Sequence, residues 1–156
     1  MDKRKEFLIR ELWISAWSAS VQHASLYIDG ARKIRRDEIN EFRSKLINYI
    51  KREIIPIYKN FVSEDEHIRN ILKIIDFANK ADTGILGRDL YKFGVAQKLL
   101  NLALKYYWCL AEVVEPPHCP VDRIIIDKTI YKGKINWTQI MFCFKRKWKT
   151  GRPMIV

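Results

Sequence analysis

The chain is poor in the residues that interrupt helices: it has 6 glycines and 5 prolines among 156 residues. These few residues lie at a small number of joints, which favours helices joined by short turns. Hydrophobic residues make up 48% of the chain and aromatic residues 12%, which excludes a disordered tail. At this length we expect one all-α domain over residues 1–156, with a core that needs no disulfide.

Long apolar runs are also missing, and no stretch approaches the length of apolar sequence that spans a bilayer. The first residues, MDKRKEFLIRE, are charged and lack the apolar core and the cleavage site of a secretory signal. The sequence therefore predicts a cytoplasmic location and no membrane partner.

Cysteine is scarce, and the three residues present, Cys109, Cys119 and Cys143, cannot all pair with one another. The adjacent pair His118 and Cys119 suggests a metal site, but neighbouring residues rarely point at one ion and the chain has no CxxC motif. We therefore expect free, buried thiols, no metal and no other cofactor.

Acidic residues are few in the second part of the chain. Residues 92–156 hold 12 basic and 4 acidic side chains, a balance of +8, whereas residues 1–91 hold 17 and 14, a balance of +3. A cytosolic domain with a net charge of +11 and this asymmetry is typical of a protein that meets a polyanion. Nucleic acid is the expected partner, with DNA favoured over RNA, and a solvated basic face is the alternative.

Apolar residues recur at spacings of three and four, which predicts a series of helices. The first runs from about Lys3 to Leu26, the second starts near Asp37 and ends or kinks at Pro56, and a capping box of Ser63 and Glu66 opens the third. Further helices are expected over Leu86–Phe93, Val95–Ala111, Val121–Tyr131 and Asn136–Trp148, with turns at Asp82–Gly84 and Lys132–Lys134. We assign five aromatic side chains to the core, namely Trp13, Trp17, Tyr106, Tyr107 and Trp108.

The segment from 88 to 127 carries the strongest candidate for a functional site. Gly94 interrupts a helical pattern, Lys98 follows about one turn later, and Asp122 stands where another helix begins. Each residue also has an ordinary structural interpretation. Gly94 can end a helix, Lys98 can be a solvated lysine, and Asp122 can stabilise a helix dipole.

The residues Gly94-Val95-Ala96-Gln97-Lys98, followed by Pro120-Val121-Asp122, resemble the motifs of the helix-hairpin-helix DNA glycosylases, particularly the 8-oxoguanine type. The resemblance covers about residues 88–130. It implies that Lys98 is the catalytic lysine and Asp122 the catalytic aspartate. It further implies that the hairpin at 93–96 grips a DNA phosphate through backbone amides. Gln97 and Arg123 are also candidate nucleic-acid-binding residues, because they lie next to these motifs in the sequence.

The chemistry of that family is consistent with such a pair. Cleavage of an N-glycosidic bond develops positive charge at the anomeric carbon, which a carboxylate at Asp122 would stabilise. A neutral amine at Lys98 would attack that carbon, displace the base and form a Schiff base. The resemblance therefore implies a DNA glycosylase and abasic-site lyase.

A second basic cluster lies near the end of the chain, where Lys145, Arg146, Lys147 and Lys149 surround Trp148. Cations around an aromatic ring suit phosphate contact together with base stacking, and a charged helix end is the alternative. A similar cluster without an aromatic residue occupies positions 32–36.

Two functions compete with glycosidic chemistry. The first is a non-catalytic nucleic-acid-binding or regulatory module on the same fold. The second is a small defence or toxin ribonuclease. The ribonuclease is disfavoured because no histidine has an arginine four to six residues before it.

Overall fold

The computed structural model describes residues 2–121, 123–130 and 132–134, and it confirms the all-α class. Within these ranges six α-helices follow one another: α1 Lys3–Val21, α2 Ala31–Ile34, α3 Arg36–Tyr49, α4 Glu64–Lys80, α5 Phe93–Cys109 and α6 Arg123–Asp127. The described residues form no strand, and their one isolated β-bridge pairs Tyr27 with Leu86. None of the helices in the described part of the chain combines the length and hydrophobicity needed to cross a bilayer.

Helix α1 ends earlier than predicted, at Val21, because the backbone then leaves the helical region. His23 and Ser25 both adopt positive φ angles, of 58° and 45°. A helix cannot continue through such residues, so Leu26 is buried in an extended segment and its carbonyl accepts a hydrogen bond from Gly87 N. Gly30 does not end α1; it precedes α2 in the left-handed conformation, with φ 76°.

Helix α3 begins at Arg36, one residue before the predicted start near Asp37. Its helical form changes before Pro56, where the sequence predicted an end or a kink. A π-helical turn at Ile50–Ile54 is followed by a 3-10 turn at Ile55–Lys59 that contains the proline. Proline has no N–H to donate to the preceding turn and its ring crowds that turn, so the regular α-helical hydrogen bonds cannot continue. The regular α-helix therefore ends before Pro56, which is one of the two outcomes that the sequence predicted.

Helix α4 begins as the capping pattern predicted. The Ser63 hydroxyl accepts a hydrogen bond from Glu66 N at 3.3 Å, and three acidic residues occupy the first turn. The turn at Asp82–Gly84 is also confirmed, since the Asp82 carboxylate accepts from Ile85 N at 2.9 Å and Leu86 N at 3.1 Å.

The predicted short helix at Leu86–Phe93 is wrong. This segment is irregular; Leu86 pairs with Tyr27, and Leu90 adopts a φ of 55°. Its backbone is bonded to other parts of the chain, since Gly87 N donates to Leu26 O at 2.8 Å and Tyr91 N donates to Asn79 Oδ1 at 3.0 Å. The structure therefore does not confirm a helix-hairpin-helix element, because Gly94 follows an irregular segment instead of a helix.

Helix α5 is the central helix of the fold, and it starts two residues before its predicted position. It packs against α1 and α4, and six of its side chains are completely buried, namely Val95, Ala96, Leu99, Leu100, Ala103 and Leu104. Trp13, Trp17 and Tyr107 lie in the core as predicted. Trp108 was assigned wrongly: 47% of it is exposed, because it points away from the packed face of α5.

Two further expectations are corrected after α5. Cys109 and Cys119 are free but exposed, because Cys109 lies in the last turn of α5 and Cys119 in the proline-rich loop. Cys143 lies outside the described residues. The helix expected over 121–131 is shorter, Arg123–Asp127, and the turn at 132–134 is confirmed. The helix predicted for 136–148 lies outside the described residues.

Candidate nucleic-acid interface

The predicted phosphate-gripping segment lies in the first turn of α5 and faces the core. Gly94, Val95, Ala96 and Gln97 are all buried. The amides of Val95 and Ala96 both donate to the carbonyl of Lys92, each at 3.1 Å. These four residues therefore pack the interior, and two of the amides already have partners within the helix.

Lys98, the predicted nucleophile, is half-buried in the second turn of α5. Its neighbour Gln97 binds the loop before α6, since Nε2 donates to Val121 O at 2.6 Å and Oε1 accepts from Val121 N at 3.3 Å. One turn later, Asn101 Nδ2 donates to Cys119 O at 3.0 Å. These hydrogen bonds fix the loop at 119–121 against α5. Their partners in α5, Gln97 and Asn101, lie close to Lys98 in sequence.

The other predicted site residues lie apart from this contact or outside the described structure. Arg123 is in α6, its side chain is 85% exposed, and Nε lies 3.6 Å from Asp127 Oδ2. Six predicted residues fall outside the described residues, namely Asp122, Lys145, Arg146, Lys147, Trp148 and Lys149. Their roles stay predictions.

The structure shows a different candidate site, a groove between α1 and α3 that we call the α1–α3 groove. It consists of two depressions of about 660 and 380 Å³ that share Asn40 and Arg43. Its cationic lining residues are Arg10, Arg36, Arg43 and Lys51. None of the described residues that line it is acidic, so the groove concentrates positive charge.

Within the described ranges, the cations of the groove have no carboxylate partner at ion-pair distance. Arg10, Arg36, Arg43 and Lys51 form no ion pair with any residue in the described part of the chain. Burial lowers the pKa of Lys51 from its ordinary value, since desolvation disfavours the charged ammonium. A bound anion would offset that desolvation and raise the pKa again.

Arg35 differs from the neighbouring Arg36 because its guanidinium is paired with a carboxylate. Its guanidinium binds the Glu38 carboxylate and donates to the carbonyls of Thr83 and Gly84 at 2.9 and 2.8 Å. The Glu38 hydrogen bond raises the pKa of Arg35, and the same contact lowers the pKa of Glu38. Arg35 therefore anchors the turn after α4, whereas Arg36 lines the groove.

The sequence contained a signal for this groove. Arg36, Asn40, Arg43 and Ser44 are spaced by four, three and one residues, so they form a polar stripe along one side of α3. The helix was predicted, but the neighbour of that stripe was not, because sequence periodicity does not identify which helix lies opposite.

A buried polar network lies on the other side of the core, between α4 and α5. Asn70 Nδ2 donates to Tyr58 Oη at 3.4 Å, and Tyr58 Oη lies 2.7 Å from His67 Nδ1. The hydrogen bond between Tyr58 Oη and His67 Nδ1 is donated by the hydroxyl or by the imidazole according to the tautomer of His67. Neither His67 Nε2 nor Asn101 Oδ1 has a hydrogen-bond partner among the described residues.

His118, from the proline-rich loop, completes this network. Its ring centroid lies 4.7 Å from that of His67, and the two rings meet edge to face. Burial, followed by the proximity of His118, lowers the pKa of His67 to about 4, and the nearby Asn101 side chain opposes the decrease. Burial also lowers the pKa of His118, against the opposing charge of Glu64.

Comparisons with known proteins identify no relative: no family model, no curated protein and no solved structure matches the chain. No cluster of three or more histidine, cysteine, aspartate or glutamate residues able to hold a metal ion occurs within the described ranges. The chemistry of the α1–α3 groove is therefore the basis for a functional assignment.

Proposed function

We propose that this chain is a nucleic-acid-binding helical domain that holds the polyanion in the α1–α3 groove. The observation that carries the proposal is the presence of Arg10, Arg36, Arg43 and Lys51 in one groove whose described lining has no acidic residue. Arginine and lysine that neutralise phosphates release condensed counterions, which supplies most of the sequence-independent affinity for nucleic acids.

The charge of the whole chain supports the same proposal. The net charge is +11, and residues 92–156 contribute +8 of it, so the groove belongs to a molecule with a positive long-range field. Such a field accelerates the encounter with a polyanion, while the groove provides the local contacts. A non-catalytic binding module needs no further chemical group.

The salt dependence of binding tests this proposal. The double variant Arg36→Gln/Arg43→Gln is expected to weaken binding to DNA or RNA about tenfold at low salt, because two phosphate contacts are lost. The slope of log K against log salt concentration should decrease by about 1.4 on single strands and about 1.8 on duplexes. Fluorescence anisotropy with labelled oligonucleotides over a series of salt concentrations measures both quantities.

The matched control is Lys45→Gln/Lys80→Gln, which removes the same charge outside the groove. Lys45 pairs with Glu41 at 2.7 Å and Lys80 pairs with Asp76 at 2.7 Å, both on exposed surface. The control should leave the salt slope close to that of the wild type. A wild-type protein that binds neither polymer at low salt would falsify the proposal.

A second candidate function is the glycosylase and lyase activity implied by the sequence resemblance. The specific observation in its favour is the pair of hydrogen bonds between Gln97 and Val121, at 2.6 and 3.3 Å. Lys98 follows Gln97 in sequence and Asp122 follows Val121, so both predicted catalytic residues adjoin this contact. In this activity Lys98 forms the Schiff base and Asp122 stabilises the developing cation.

Borohydride trapping tests the second candidate. Wild-type protein is expected to become covalently linked to DNA that carries an abasic site, whereas Lys98→Gln should abolish the linkage, because it removes the amine that forms the Schiff base. The DNA affinity of the variant should remain, since the groove is unchanged. Wild-type protein that never traps on abasic or base-damaged DNA leaves the binding module as the function.

A further inference from the structure

The two tryptophans beside the α1–α3 groove are not available for base stacking. Trp17 is only 5% exposed, packs edge to face on Phe42, and has the Arg43 guanidinium 5.9 Å from its ring centroid. Trp13 is only 2% exposed, with the Lys51 ammonium 5.7 Å from its ring centroid. Each indole therefore has a cation over its ring, and that cation is positioned at the groove.

The exposed groups of the groove are suited to phosphate oxygens. Ser15 and Ser18 from α1 line the first depression together with Asn40 from α3, and Asn40, Ser44 and Asn48 from α3 line the second. Hydroxyls and amides can donate hydrogen bonds, and the phosphate group offers only acceptors. Because donors and cations lie on both walls, a single strand can be held from two sides.

The spacing of the cations sets the length of strand that fits. Arg36, Arg43 and Lys51 lie at intervals of seven and eight residues along α3 and the turn that continues it. At a rise of about 1.5 Å per residue the row extends over about 22 Å. For a strand that keeps its own helical base stacking, with a rise of about 3.4 Å per nucleotide, this distance corresponds to about six nucleotides.

We infer that the α1–α3 groove binds about six nucleotides of a single strand through the phosphates, without reading or stacking the bases. This inference rests on the proposed function and specifies its ligand. The Arg43 guanidinium lies over the Trp17 indole and the Lys51 ammonium over the Trp13 indole. The residues that bind phosphate therefore also prevent bases from stacking on these two indoles.

The test compares single strands of equal length that differ only in their bases. One strand carries thymine, one adenine, and one a stable reduced abasic analogue that cannot form a Schiff base with a lysine. The base-free strand is expected to bind within about threefold of the thymine strand, since each stacked base would otherwise be worth roughly fivefold or more. Affinity should stop rising at about six nucleotides in a length series.

Variants of the α1–α3 groove test whether the measured strand binding takes place in this groove. Arg36→Gln/Arg43→Gln should weaken binding of the base-free and thymine strands by the same factor, and Lys45→Gln/Lys80→Gln should weaken neither. The inference is overturned if the base-free strand binds tenfold or more weakly than the thymine strand, or if a duplex of equal length binds more tightly than the single strand. Failure of every strand to bind rejects the proposed function itself, so the two failures are distinguishable.

Discussion

Acidification from pH 7 should remove about 2 kcal/mol of folding stability by pH 5 and about 3 kcal/mol by pH 4 through His67 alone. Its pKa in the folded protein is about 4, against an ordinary value of 6.5. Between these two values the unfolded chain binds a proton that the folded protein excludes. Stability is therefore fully present above pH 6.5 and declines as the pH falls through this window, and the loss levels off below the folded pKa.

The structural reason for this loss is the surroundings of His67. The side chain is completely buried, and its Nδ1 lies 2.7 Å from the Tyr58 hydroxyl oxygen. Protonation would leave a proton on each ring nitrogen and form a buried charge whose ring lies 4.7 Å from the His118 ring, while Nε2 has no hydrogen-bond partner among the described residues. Burial raises the pKa of Tyr58 to about 12, so its hydroxyl stays protonated over the whole range.

Urea unfolding at a series of pH values between 7 and 5 measures the effect while most carboxylates remain ionised. The variant His67→Gln should lose the part of the dependence that His67 contributes, whereas the part due to the buried His118 should remain. His23→Asn is the matched control, since His23 is exposed and its φ of 58° is one that asparagine tolerates. Equal losses of stability in the wild type and in His67→Gln would show that another group is responsible.

Much of the helical fold could be predicted from residue spacing and from local stop signals. The Ser63 cap and the effect of Pro56 depend only on neighbouring residues, and both are confirmed. The segment at 86–93 could not be predicted in this way. Its backbone partners are Leu26, which bonds Gly87, and Tyr27, which forms the bridge with Leu86. Both lie about sixty residues away in the sequence, and these long-range contacts outweigh local helix preference.

The candidate site was less accessible from sequence than the fold. Lys98 was predicted as a catalytic residue from a linear motif. The cations of the groove, in contrast, are contributed by α1, α3 and the turn after α3. The sequence could nevertheless have suggested the buried network. His67 and Asn70 share one helical stripe with Ile71, Ile74 and Ala78, which is the spacing of a core-facing side of a helix.

Reversal of charge within the groove should have the largest effect on binding. The variant Arg36→Glu/Arg43→Glu places two carboxylates where phosphates are expected, and like charges in contact cost several kcal/mol, so affinity should fall at least about a hundredfold. The fold should survive, because Arg36 is exposed and Arg43 only half-buried. Loss of the contact between Arg43 and Trp17 should cost about 1 kcal/mol.

The most direct test of the groove as the binding site compares this variant with one of identical net charge. Lys45→Glu/Lys80→Glu makes the same charge change on exposed surface outside the groove, where screening limits its effect at physiological salt to less than about fivefold. Both variants and the wild type are titrated with the same single-stranded oligonucleotide, after circular dichroism confirms that each is folded. We predict a loss of about a hundredfold for the groove variant alone. Equal losses in the two variants would contradict the assignment, since they would show that binding follows total charge and not the α1–α3 groove.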